Sequence, residues 1–160
     1  MIAAQTSERI SRLLSLVDKE ATHLQQVCER LFACREEITG AWLGEKLADG
    51  TGFDQLESFS GKFARLQDTL GDKLLPTYLA AVLEPVGTGI DNLNRAEKLG
   101  LIEDAERWAG LRQLRNRLVH EYVDDLSELA SALHEAREGV GDLLHAARRI
   151  RQRAEKLGVA

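Results

Sequence analysis

Apolar residues return at steps of three and four along most of this chain, and that period constrains the fold more than any other feature. From Ile10 the positions Leu14, Val17, Ala21, Leu24, Cys28, Leu31 and Ile38 trace one stripe of an amphipathic helix about eight turns long. Leu56, Phe59, Phe63, Leu66, Leu70 and Leu74 repeat the pattern. So do Ala105, Trp108, Leu111, Leu114 and Leu118, and finally Leu126, Leu129, Leu133, Ala136, Val140, Leu143, Ala147 and Ile150. Each stripe needs a partner to bury it. The expected fold is all-α, an up-and-down bundle of four to five helices. With 160 residues, 44% of them hydrophobic and 29% charged, the chain reads as one domain over residues 1–160 with a sizeable core. Aromatic content of 5% and only two prolines agree with helices rather than strands.

Punctuation residues divide the stripes. Ser7 is placed to cap the first helix, with Glu8 in its first turn. Four glycines between Gly40 and Gly52 predict a loop joining the first two helices. Pro76 lacks an N–H and clashes with the preceding turn, so the second helix ends or kinks there. Thr88 could cap a short helix from Ile90 to Leu99, with Gly100 as its stop. The motif helix begins near Glu103-Asp104, and Asp124 or Asp125 caps the last helix.

A net charge of -5 excludes a protein that coats nucleic acid through its overall field and leaves a local basic site open. Cys28 and Cys34, six apart on one helix, point in different directions, so reduced structural thiols are expected. The start has no basic segment followed by a long apolar core, and no stretch approaches the ~20 apolar residues of a membrane span. A cytoplasmic location is expected. His23, His134 and His145 lack a Cys or His partner at helical spacing, so no metal or other cofactor is expected.

Polar groups able to do chemistry crowd into Arg115-Asn116-Arg117-Leu118-Val119-His120-Glu121-Tyr122. On a helix, Arg115 and Tyr122 fall within roughly 20° of each other and Asn116 and His120 within roughly 40°, whereas Arg115 and His120 are roughly 140° apart. An imidazole exchanges a proton near neutrality, so His120 could act as a general base. A planar guanidinium holds a phosphate and stabilises charge growing on phosphorus, a role open to Arg115. Together they could activate an RNA 2′-hydroxyl against its neighbouring phosphate without metal, leaving a 2′,3′-cyclic phosphate; DNA lacks the hydroxyl. Asn116 could orient His120 or donate to the phosphate. Ordinary structural roles fit the same residues: His120 beside Glu121, Arg115 in a salt bridge to another helix, Tyr122 at a core edge with its hydroxyl wet. Asp68 and Asp72, with Gln67, either reach the motif helix to hold Arg115 or His120 or form an exposed polar face. Arg148, Arg149, Arg151, Arg153 and Lys156 suit a helix C-terminus, a solvated face or an RNA track.

Arg-Asn-x-x-x-His-x-Tyr over residues 115–122, on a late helix of an all-helical chain, resembles the signature of the HEPN superfamily and especially its HepT-like toxin branch. The resemblance implies a metal-independent endoribonuclease with Arg115, Asn116 and His120 at its active site. It further implies a two-fold homodimer bringing two motifs into one groove, which would offset the angle between Arg115 and His120. It implies neutralisation by a nucleotidyltransferase antitoxin of the MNT type, by AMP transfer to Tyr122. A non-catalytic helical partner of such a nucleotidyltransferase is the alternative. Outside residues 111–122 the resemblance is architectural, and the glycine-rich segment 40–52 has no counterpart in it.

Overall fold

Eight helical segments follow one another in the computed structural model, which describes residues 2–159 apart from 121–124, and only the backbone of 119 and 120. They are α1 (Ala4–Phe32), α2 (Gly40–Ala48), α3 (Gly50–Asp68), a π-helical turn (Thr69–Leu74), α4 (Leu75–Ala81), α5 (Gly89–Lys98), α6 (Ala105–His120) and α7 (Leu126–Lys156). No strand occurs among the described residues, so the fold is all-α. No described helix is long and apolar enough to cross a membrane.

The four long segments close a ring in which every neighbour runs antiparallel. Phe32 meets Phe59 edge-on at 5.2 Å between ring centres and Glu20 meets Thr69, which sets α1 against α3. Asp68 and Asp72 reach Arg115 and Arg112, setting α3 and the π-turn against α6. Arg107 bonds Asp142 at 2.7 Å, so α6 descends along α7. Arg151 pairs with Asp18 and Arg137 donates to the carbonyls of Arg35 and Glu36, returning α7 to α1. The expected stripes form the shared core: Ile10, Leu14, Val17, Leu24 and Leu31 of α1, Phe59 and Phe63 of α3, and Leu133 and Leu143 of α7 are all buried. At about 25 cal/mol per Å² of apolar surface removed from water, this burial is the main force holding the ring.

Several local expectations fail. The glycine-rich segment 40–52 is not a loop. It folds as α2 and the first turn of α3, with Thr39 accepting from the Trp42 N–H at 3.1 Å and Asp49 from the Thr51 N–H at 3.1 Å. Its glycines serve close approach instead: a Cβ at Gly40 would stand 3.3 Å from Ser127 Oγ, and one at Gly44 3.3 Å from Leu126 Cδ1. They flatten one face of α2 against the start of α7. Ile38 is not in α1, which ends at Phe32 because Ala33 and Cys34 take left-handed φ values of 47° and 61°. The following carbonyls are held by Arg137, whose guanidinium also lies 5.4 Å above the Phe32 ring. Ser7 does not cap α1, which begins three residues earlier after Ala3.

Of the two outcomes expected at Pro76, an end or a kink, the end does not occur, because helical segments run on through it to Ala81. The π-turn precedes Pro76, closed by the Leu75 N–H on the Leu70 carbonyl, and the missing proline N–H falls where that wider ladder stops. Thr88 caps α5 through a reciprocal box with Asp91, Gly100 ends the segment at φ 74°, and Asp125 caps α7. Cys28 and Cys34 are both free, and burial pushes the Cys28 thiol above its usual range.

The turn from α2 into α3 is tight at Gly52, where a Cβ would lie 2.1 Å from the Lys46 carbonyl oxygen. A backbone oxygen cannot swing aside as a side chain can. Gly52→Ala is therefore expected to destabilise the protein by about 1–3 kcal/mol in chemical denaturation, whereas Gly61→Ala, with open space at its Cβ, should not.

Candidate functional site

α6 starts on a side-chain cap, the Asp104 carboxylate accepting from the Glu106 and Arg107 N–H groups at 2.9 and 3.2 Å. Ala105, Trp108, Leu111 and Leu114 are buried as expected, and Leu118 packs half-buried at the core's edge. This facing leaves Arg112 and Arg115 on the side of the helix toward α3 and its π-turn.

Arg115 is the better held of the two. Its Nη2 donates to Asp68 Oδ2 at 2.7 Å and its Nη1 to Asn116 Oδ1 at 2.8 Å, and Nε is buried without a partner among the described residues. A guanidinium has five N–H groups, so these two contacts leave part of the fork for another acceptor. Arg112 lies one turn earlier and meets Asp72 with both ends of its fork, at 3.0 and 3.1 Å. Gln67 anchors the same seam, its amide turned so that oxygen faces the Arg112 backbone N–H at 2.8 Å and nitrogen the Leu111 carbonyl at 3.3 Å. Of the two readings of Asp68 and Asp72, the structure takes the one in which they reach the motif helix.

Asn116 accepts from Arg115; the expected contact with His120 falls on a side chain outside the described residues. His120 is the last residue of α6; its backbone alone is described. Tyr122 lies outside the described residues. The basic residues of α7 divide: Arg151 pairs with Asp18, while Arg148 and Arg149 are exposed.

Sequence reasoning passed over Glu20. It is buried on α1, with Oε1 2.8 Å from the hydroxyl of Thr69, the residue after Asp68, and Oε2 without a partner among the described residues. Thr69 Oγ1 also lies 3.0 Å from the Arg65 carbonyl, and it has one proton to give. That proton is shared between the Glu20 carboxylate and the Arg65 carbonyl. Burial pushes the Glu20 carboxyl above its usual range; the Thr69 hydrogen bond, Arg65 and Lys73 oppose the shift and Asp68 adds to it. The only one-dimensional sign of Glu20 is a charged residue among the apolar positions of α1.

Compared with known proteins, the chain matches no family model, no curated protein and no solved structure.

Because its folded carboxyl titrates above its unfolded value, Glu20 favours the native state fully below the unfolded pKa, and that contribution is lost as pH rises through the folded pKa. Glu20→Gln keeps the shape without the charge. It should raise the melting temperature at neutral pH and have little or opposite effect near pH 4, which paired thermal melts would read.

Proposed function

We propose that this protein is a metal-independent endoribonuclease of the HepT-like kind, in which Arg115 and His120 act on one phosphodiester and Asn116 keeps Arg115 in place. The observation that carries this reading is the held fork of Arg115, exposed at 24% of its side chain and fixed from two sides, five residues before the histidine that ends α6. A guanidinium in this setting offers directed N–H donors to a phosphate and to the charge that grows during attack. His120 takes the proton of the 2′-hydroxyl, the 2′-oxygen bonds to phosphorus, and the bond to the 5′-oxygen breaks, that oxygen gaining a proton. The products are a 2′,3′-cyclic phosphate and a 5′-hydroxyl. A homodimer would place a second copy of α6 across the phosphate and supply the side of the site that one helix cannot. Regulation follows the resemblance: an MNT-type nucleotidyltransferase partner that transfers AMP to Tyr122.

The second reading, a non-catalytic partner of a nucleotidyltransferase, is favoured by the same pair, since Asp68 already neutralises Arg115. The two part company on turnover. Purified protein should cleave single-stranded RNA in the presence of a chelator, with Arg115→Ala and His120→Ala each lowering the rate by about 100-fold or more. Equal cleavage by wild type and both variants would remove the enzyme claim. No cleavage, with a nucleotidyltransferase complex that survives His120→Ala, would establish the second reading.

A further inference from the structure

We propose that Asp68 is a positioning residue, acting through Arg115; the inference rests on the ribonuclease reading and names the group that prepares its phosphate-binding fork. Arginine has a long side chain whose free rotation is costly to arrest, so a site that must present N–H groups to a phosphate gains from a fork already fixed. Asp68 does this from a neighbouring segment, at 2.7 Å from Nη2 and with its own side chain 40% exposed, while Asn116 holds Nη1 from the same helix.

The backbone is matched to this task. Arg112 and Arg115 are separated along α6 by about 4.5 Å, whereas four residues of ordinary α-helix would separate Asp68 from Asp72 by about 6 Å. The segment between them is not ordinary: the π-turn begins at Thr69, and its i→i+5 bonding puts more residues into each turn and so shortens the step. Both acids then meet both arginines at once, Asp72 on Arg112 and Asp68 on Arg115. Thr69, held between Glu20 and the Arg65 carbonyl, fixes the turn at the residue next to Asp68.

The same carboxylate could instead act as a block that a phosphate must displace, and the two roles differ in sign. For a positioning residue, Asp68→Asn should lower kcat on an RNA oligonucleotide by about 10- to 100-fold, as misplacement of a catalytic group does, with KM little changed and Asp68→Glu recovering part of the loss. In an Arg115→Ala background the Asp68→Asn change should have no further effect, because its only route is through Arg115. Independently of turnover, nitrogen-detected NMR of the arginine side chains should show restricted rotation of the Arg115 fork in wild type and free rotation in Asp68→Asn, with circular dichroism confirming that the variant is folded. Cleavage by Asp68→Asn equal to or faster than wild type overturns the proposal, as does an equal loss in the Arg115→Ala background. A freely rotating Arg115 in wild type also overturns it. A wild type that cuts no RNA but keeps an ordered Arg115 instead overturns the ribonuclease reading, and with it the reaction Asp68 would serve.

Discussion

The antiparallel seam between α3 and α6 is the constraint on which the site depends. Two aspartates from one segment meet two arginines from the other in opposite chain order, and Gln67 ties the same segment to the α6 backbone at Leu111 and Arg112. Behind these polar contacts stand Phe63, Leu66, Leu70, Trp108, Leu111 and Leu114, all buried in the common core. The apolar layer supplies the free energy of association, whereas part-exposed ion pairs contribute only about 0–1 kcal/mol each. The polar layer therefore acts mainly on geometry: it selects the rotation of α6 and the conformations of its arginines.

That division shows how a chain with net charge -5 could carry the local phosphate site proposed above. The positive charge of Arg112 and Arg115 is balanced within the seam, so the proposed site would give little long-range attraction for RNA and would rely on directed N–H groups at short range. Burial of Glu20, which raises its carboxyl pKa and disfavours charge there, suits the same arrangement. A carboxylate there would add negative charge beside Asp68.

Much of this was legible in the sequence. The three-four spacing located all four long helices and most of their buried residues, because burial of a stripe is a local consequence of the period. Thr88, Gly100 and Asp125 marked boundaries through side-chain caps or a positive φ, which are also local. The glycines of 40–52 misled because flexibility and close packing use the same residue: Gly40 and Gly44 make room for Ser127 and Leu126, more than 80 residues further on. The end of α1 was hidden because Ala33 and Cys34 carry no stop signal, and Arg137, which holds the carbonyls beyond them, is distant in the chain. For the site, the motif itself was visible, whereas the pairing of Arg115 with Asp68 across 47 residues was one of two open roles. The π-turn that aligns both pairs left only Pro76 as its trace.

The central claim is that α6 carries metal-free chemistry on the RNA 2′-hydroxyl, and end-group analysis of the cleaved RNA tests it most directly. With a chelator present, the account predicts 2′,3′-cyclic phosphate and 5′-hydroxyl ends from wild type, no cut where the nucleotide 5′ to the scissile phosphate lacks its 2′-hydroxyl, and neither product from Arg115→Ala. Ends bearing a 3′-hydroxyl and 5′-phosphate, or cleavage at the 2′-deoxy position, would contradict it.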